Sequence, residues 1–197
     1  MKFLKKLSIS AFLIGLTMSA HADIIKESET GLTGSFTTET FTSALAEGSA
    51  VGNEFTGITF GAGNYITSQY DGQFPNMIGQ VIANFYPCCT ASTSISFATI
   101  VSGAAFNFVS NPGTSKFTTY LNGNQVETFT GTTNYSGKFY GFNNVAFNSI
   151  EIISGGVNNA YILDNLQVTA VPEPGTCAML LSGLGLMGFT LRRRKTS

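Results

Sequence analysis

The sequence contains no tryptophan and a single histidine, His21. Downstream of that histidine no imidazole can activate a serine or cysteine nucleophile, so hydrolases of the Ser-His-Asp and Cys-His kinds are excluded there. The same absence, together with the lack of spaced Cys-x-x-Cys pairs, argues against a zinc site. The side-chain groups that could bind or react with a ligand downstream of His21 are mainly carboxylates, hydroxyls, amides and aromatic rings.

Positive charge is scarce through the middle of the chain. Residues 23–171 contain ten carboxylates and three lysines, which gives this stretch a formal charge of −7, against −1 for the whole chain. All the arginines lie in the last few residues. An acidic stretch without arginine lacks the basic surface that binds nucleic acid, and it lacks the polybasic patch that attracts proteins to anionic lipid.

Cysteine is also rare. Cys88 and Cys89 are adjacent, and Cys177 stands apart. Adjacent cysteines close only a strained ring, so a vicinal disulfide, free thiols and pairing between molecules all remain open. Three cysteines in this arrangement are not a disulfide scaffold.

The first 22 residues have the three parts of a secretory signal peptide in order. A region with three lysines is followed by an apolar region of 13 residues, Leu7–Ser19. Ala20-His21-Ala22 then has the small-x-small pattern that signal peptidase accepts. We therefore expect residues 1–22 to be a signal peptide, and we expect the chain to be exported.

Residues 23–170 have the pattern of a single all-β domain. Short runs rich in Val, Ile, Thr, Phe and Tyr alternate with Gly, Asn and Pro, and no helix–strand alternation is present. Nine or ten such runs at close spacing predict an antiparallel β-sandwich or jelly roll. In one run Phe106 and Phe108 fall on the same face, which we interpret as core packing. Asn122-Gly123, between two alternating runs, predicts the turn of a β-hairpin over residues 115–131.

The last 22 residues begin with an apolar run and finish with a basic cluster. Thr176–Leu191 contains 16 uncharged residues, about 24 Å as a helix, somewhat shorter than a hydrocarbon core of about 30 Å. We expect a short transmembrane helix there, accommodated by local thinning of the bilayer. A basic cytoplasmic stop follows it, formed by Arg192, Arg193, Arg194 and Lys195.

The C-terminal segment 171–197 resembles the PEP-CTERM sorting signal of Gram-negative bacterial surface proteins. Pro172, Glu173 and Pro174 precede the glycine-rich apolar run and the arginine cluster, as in that family. The resemblance implies that an exosortase-type membrane enzyme recognises the Pro-Glu-Pro motif and cuts near it. It also implies transit through the inner membrane to the surface or beyond, and an association with exopolysaccharide. The two prolines favour an extended, accessible segment at the point of processing.

Three classes of function are compatible with an exported β-sandwich, and no catalytic motif favours the enzyme class. We expect a non-catalytic cell-surface or extracellular-matrix protein, with a glycan binder similar to carbohydrate-binding modules as the alternative and a glycoside-active enzyme as the less favoured one. Aromatic rings near loops or strand ends are the candidates for stacking on sugars. They are Tyr65, Tyr70, Phe74, Tyr86, Tyr135 and Tyr140.

A structural calcium ion is the one cofactor that the sequence suggests. Sandwich modules often carry Ca²⁺ between the first and last strands, and hard oxygen ligands suit this ion. Glu39 lies near the start of the domain, and Asp164 and Asn165 lie near its end. We therefore predict these three residues as candidate ligands.

Both ends of the chain are expected to be trimmed. N-terminal sequencing of the envelope protein should begin at Asp23, and mass spectrometry should find no peptide containing Arg192–Lys195. Replacing Pro172, Glu173 and Pro174 by alanine should leave the protein in the inner membrane, because the processing enzyme then lacks its substrate. A mature protein that starts at Met1, or that keeps its arginine cluster, would contradict this interpretation.

Overall fold

The computed structural model describes residues 22–42, 45–84 and 92–171. In these residues the chain forms eleven β-strands and one short 3-10 turn, Val157–Asn159. The strands are β1 Asp23–Ser28, β2 Thr37–Glu39, β3 Ile58–Phe60, β4 Tyr65–Thr67, β5 Val81–Ala83, β6 Ser92–Ser110, β7 Gly113–Leu121, β8 Asn124–Thr133, β9 Lys138–Asn143, β10 Phe147–Ile153 and β11 Tyr161–Ala170. The expected all-β, antiparallel class is confirmed.

Several predicted features lie outside the described residues. They are the signal peptide apart from Ala22, the cysteines Cys88, Cys89 and Cys177, Tyr86, the motif at residues 172–174, the apolar run 176–191 and the basic cluster 192–195. Where the chain is described, no helix is long and apolar enough to cross a membrane.

The 19-residue strand β6 joins the two halves of the β-sheet. Its first half pairs with β3 and β10, and β10 continues through β7 to β8. Its second half pairs with β9 and β11, which continue to β1, β2 and β5. The two halves pack face to face, because Phe117 of β7 lies 6.0 Å from Phe106 of β6 and 5.3 Å from Tyr140 of β9, measured between ring centroids. This arrangement supports the predicted sandwich.

Aromatic rings fill the space between the two halves. Phe106, Phe108, Phe117, Tyr140 and Phe142 are completely buried. The ring pairs among the first four of these residues are stacked, tilted or edge-to-face at centroid distances of 5.3–6.2 Å. Such pairs contribute about 0.5–1.5 kcal/mol each beyond the burial of their area. Phenylalanine and tyrosine therefore provide the large aromatic side chains of the core, since the chain has no tryptophan.

The outer face of β6 and β11 is buried as well. Val109 and Ile162 pack there against Tyr65, Met77 and Val81. The alternation in the sequence correctly placed Phe106 and Phe108 on the core face, but it gave no sign that segment 65–83 covers the other face. This second layer carries the candidate site described below.

The hairpin prediction is confirmed. β7 and β8 pair along their length, and Asn122 and Gly123 between them have φ values of 52° and 83°. Asparagine and glycine tolerate this left-handed backbone, which a type I′ turn requires at both central positions. The turn brings Phe117 opposite Phe129, with ring centroids 5.0 Å apart.

The two ends of β11 define two ends of the domain. We call the end at which the chain leaves β11 the exit end; there Ala170 lies opposite Val101 on β6. Asp23, opposite Asn143 on β9, lies at the same end of the domain. At the distal end Tyr161 lies opposite Ser110. Ten strand residues separate the two ends by roughly 30 Å. The expected mature N-terminus and the start of the sorting segment therefore leave the domain at the same end.

Replacing Phe106 by alanine should lower the free energy of unfolding by about 3–5 kcal/mol, because the ring is fully buried among aromatic neighbours and leaves a cavity. Phe36→Ala is the matched control, since Phe36 keeps 38% of its surface exposed. Chemical denaturation of the mature protein measures both. A loss below about 1 kcal/mol for Phe106→Ala would show that the assigned core face is wrong.

Candidate functional site: an aromatic cleft at the distal end

A cleft of about 400 Å³ opens at the distal end of the domain. It lies between the ends of β6 and β11 and two loops, one following β4 and one following β8. The lining residues are Tyr70, Phe74, Val109, Ser110, Asn111, Tyr135, Asn158, Ala160, Tyr161 and Ile162. None of them carries a formal charge.

Three aromatic side chains form a row in this cleft. The rings of Tyr70 and Phe74 have centroids 6.1 Å apart and planes at 26°, and those of Phe74 and Tyr135 are 5.8 Å apart at 17°. Tyr135 exposes 49% of its surface, and its hydroxyl donates to Asn111 Oδ1 at 2.7 Å. Tyr135 is therefore the exposed end of the row. The orientation of its ring is set by stacking on Phe74 and by the hydrogen bond to Asn111.

The structure sorts the aromatic candidates from the sequence into two groups. Tyr70, Phe74 and Tyr135 come together in the cleft, although more than 60 residues separate the first from the last. Tyr65 is buried in the layer below the cleft, and Tyr140 is buried between the two halves of the sandwich. Tyr86 lies outside the described residues.

A buried polar cluster holds the first cleft loop, which carries Tyr70 and Phe74. Asp164 accepts hydrogen bonds from the backbone N–H of Ile78 at 3.1 Å and of Asn165 at 2.6 Å. Asn165 Nδ2 donates to the carbonyl of Asn76 at 2.7 Å. The β11 strand bulges at this point, where the register against β6 shifts and Asn165 has φ of 50°. The bulge turns both side chains towards the loop.

The same cluster holds the second cleft loop, which carries Tyr135. The carbonyl of Gly137 accepts from Asn107 Nδ2 at 2.6 Å and from Asn76 Nδ2 at 3.1 Å. Gly137 has φ of 60°, and a Cβ there would lie 1.9 Å from the carbonyl oxygen of Pro75. Only glycine allows the two loops to approach so closely, so this contact sets the distance between Phe74 and Tyr135.

Asp164 is the electrostatic exception in this cluster. It is 1% exposed, and burial raises the pKa of its carboxyl from the usual 3.8 to about 7, against the opposing effect of the two backbone N–H groups. Lys138, which follows the second loop in the chain, is paired with Glu29. The buried carboxyl of Asp164 is stabilised by its hydrogen bonds to the two backbone N–H groups.

The structure gives each of the three residues proposed as calcium ligands a hydrogen-bond partner within the protein. Glu39 lies on β2 opposite Leu166, and its Oε1 accepts from the backbone N–H of Phe41 at 2.9 Å. Both oxygens of Asp164 and the amide nitrogen of Asn165 are used in the loop cluster. No group of three or more His, Cys, Asp or Glu side chains assembles in the described ranges. The calcium bridge stays a prediction.

Two other grooves have a different chemistry. One, of about 480 Å³, lies at the exit end and is lined by apolar side chains, threonines, a serine and a glycine. The other, of about 440 Å³, is polar and contains a single carboxylate, Glu151. Tyr120 donates its hydroxyl to Glu151 Oε2 at 2.9 Å, which raises the pKa of that phenol.

The buried carboxyl gives the domain a pH dependence that can be isolated with Asp164→Asn. Because the folded pKa is raised, the folded state holds a proton that the unfolded state has released, so the contribution of Asp164 to stability falls as pH rises from about 4 to about 7. The difference in unfolding free energy between wild type and Asp164→Asn should decline across that window, and other acids cancel in the difference. A difference that is flat with pH, or that grows, would contradict the buried environment of this carboxyl. Urea titrations at several pH values provide the measurement.

Comparison with known proteins gives limited structural likeness. The K2 cleaved adhesin domain of Lys-gingipain aligns with a TM-score of 0.47 and 16% identity over 68% of this chain and 99% of that one. The Agl-KA catalytic domain aligns with a TM-score of 0.35 and 14% identity over 66% of this chain and 28% of that one. No curated protein matches the chain.

Residues 170–195 match the family model of the PEP-CTERM protein-sorting motif. The match includes Pro172, Glu173 and Pro174 and the basic cluster Arg192–Lys195, so the resemblance found in the sequence is confirmed. The motif implies an exported protein that passes through the membrane and is processed by an exosortase-type membrane enzyme. The chain carries a PEP-CTERM sorting motif directly after the last strand of an all-β, sandwich-like domain.

Proposed function

We propose that this is an exported, non-catalytic protein of the cell surface or extracellular matrix that contacts exopolysaccharide through the aromatic cleft. The sorting motif supports the exported location. The observation that carries the glycan contact is the row of Tyr70, Phe74 and Tyr135, placed roughly 30 Å from the point where the sorting segment leaves the domain. A cleft in that position is open to the outside while the domain is still tethered.

The chemistry of the cleft suits an uncharged or weakly charged sugar chain. Aromatic rings offer apolar faces to the C–H faces of sugars, and polar groups at the edge of a mostly apolar pocket fix a ligand's orientation. Ser110, Asn111 and Asn158 supply such groups. Three rings in a row fit several consecutive sugars better than a single one. Affinity should be modest, because sugars lose hydration on binding and the cleft has no tryptophan.

The arrangement of carboxylates supports a non-catalytic role. Glycoside hydrolysis ordinarily uses two carboxyl groups about 5–10 Å apart on either side of the bond. Among the residues that the structure describes, none that lines the aromatic cleft is a carboxylate, and the polar groove has one, Glu151, which accepts a hydrogen bond from the Tyr120 hydroxyl. The buried Asp164 holds the cleft loops and does not line the cleft. A glycoside-active enzyme remains the alternative that the binding experiment also tests.

Tyr135→Ala should weaken binding of the host's exopolysaccharide about fivefold, since one stacked ring contributes roughly 1 kcal/mol. Tyr120→Ala is the control, because Tyr120 is a half-buried tyrosine in a different groove. Tyr135→Phe keeps the ring and removes the hydroxyl that donates to Asn111, so it separates the contributions of the two groups to affinity. Calorimetry on the mature protein gives the affinities.

Three results would count against parts of the proposal. Equal affinity of wild type and Tyr135→Ala would place the glycan elsewhere. If calorimetry detects no binding to any envelope polysaccharide, the protein would have a structural role in the matrix and no contact with glycan. New reducing ends during the titration would show turnover and overturn the non-catalytic interpretation.

A further inference from the structure

The exit end carries an uncharged cleft, and exposed apolar residues lie in the cleft lining or next to lining residues in the chain. The cleft of about 480 Å³ includes Phe36, Thr99 and Ala170, and none of its lining residues is charged. Phe36 is 38% exposed, Ile100 is 42% exposed and Val171 is 38% exposed. Phe36 is fixed beside the last strand, because Thr37 pairs with Val168 and Thr169 Oγ1 donates to the carbonyl of Ser35 at 3.4 Å.

The sorting segment starts at this cleft and is short. Ala170 lines the cleft and is the last residue of β11, and the apolar run begins at Thr176. Five intervening residues reach at most about 20 Å when fully extended. The Pro-Glu-Pro motif occupies the middle three of those five residues. An enzyme that acts on the motif while the apolar run is in the bilayer therefore has to fit between the membrane and the exit end.

We propose that the exit face, defined as the cleft with Phe36 in its lining together with the exposed residues Ile100 and Val171, which adjoin lining residues in the chain, docks on the exosortase-type membrane enzyme during processing. The inference rests on the sorting part of the proposed function and is independent of glycan binding. The tether makes contact with the enzyme unavoidable, and the composition of the face makes the contact favourable. The centre of a protein interface is typically apolar and poor in charge, as this face is.

The lipid bilayer is a less suitable binding partner for the exit face than the enzyme. No lysine or arginine lines the cleft, so it has no means of attracting anionic headgroups. The stretch 23–171 has a formal charge of −7, which disfavours close approach to an anionic surface. The enzyme, which has to hold the adjacent motif in an extended form, is the partner that the short tether brings to the face.

The test follows processing of the full chain, tagged after Ser197, in a host that contains the enzyme. Phe36→Glu and Ile100→Glu should each slow loss of the tag at least fivefold, the effect expected when a charge enters the centre of an interface. Ile153→Glu should leave the rate unchanged. Ile153 is 37% exposed, and the glycines that follow it lie against Asn111 and Thr114, near the distal end.

A second arm separates docking from damage to the fold. A flexible linker of about ten Gly and Ser residues inserted between Ala170 and Val171 removes the forced contact. In that background Phe36→Glu should be processed as fast as the unsubstituted linker chain. Retained binding of exopolysaccharide, or an unchanged near-ultraviolet spectrum, confirms that the variant is folded.

Each outcome decides the inference. Slow processing of both exit-face variants, a normal rate for Ile153→Glu and rescue by the linker support docking. Wild-type rates for Phe36→Glu and Ile100→Glu overturn it, and so does slow processing of a folded variant that the linker does not rescue. Failure of the wild-type chain itself to be processed would instead contradict the sorting part of the proposed function, and this inference would fall with it.

Discussion

The contact between Phe117 and the rings of Phe106, Phe108 and Tyr140 is the interaction on which the two halves of the sandwich depend. The first ring belongs to one half, and the other three belong to the second half. Burial of phenylalanine and tyrosine rings is the main source of stability that this composition offers, because the chain has no tryptophan and no disulfide scaffold. With the core secured in this way, the loops at the distal end can use asparagines and a buried carboxylate without unfolding the domain.

The local elements were predictable because their signals are local. Asn122-Gly123 specifies its turn, and the alternation around Phe106 and Phe108 specifies their face. By contrast, alternation cannot indicate what covers the second face of a strand, so the burial of Val109 and Ile162 under segment 65–83 was not foreseen.

The candidate site was predictable only as a list of residue types. Tyr70, Phe74 and Tyr135 were identified as exposed aromatics, but their meeting depends on Gly137, Asn107 and Asn165, which join two loops far apart in sequence. Asp164 was predicted as a calcium ligand because it lies near the end of the domain and offers the hard oxygen atoms that this ion prefers. Its actual surroundings come from the second layer, which the sequence pattern does not reveal. The sorting motif, whose parts are contiguous, was the feature read most directly.

We propose different tasks for the two ends of β11. The exit end is uncharged and continues into the sorting segment, and the distal end carries the aromatic row with its polar edge. Roughly 30 Å of strand lies between them, so a partner at one end leaves the other accessible. Tethering and recognition are therefore proposed to be separate functions of one small domain.

The central claim, that the distal cleft is the recognition site, is tested most directly by nuclear magnetic resonance of the mature protein titrated with oligosaccharides from the host's exopolysaccharide. The account predicts shift changes at the amides of Tyr70, Phe74, Asn111 and Tyr135, and unchanged signals for Phe36, Thr99 and Val171. Changes confined to the exit end, or no changes at saturating sugar, would contradict it.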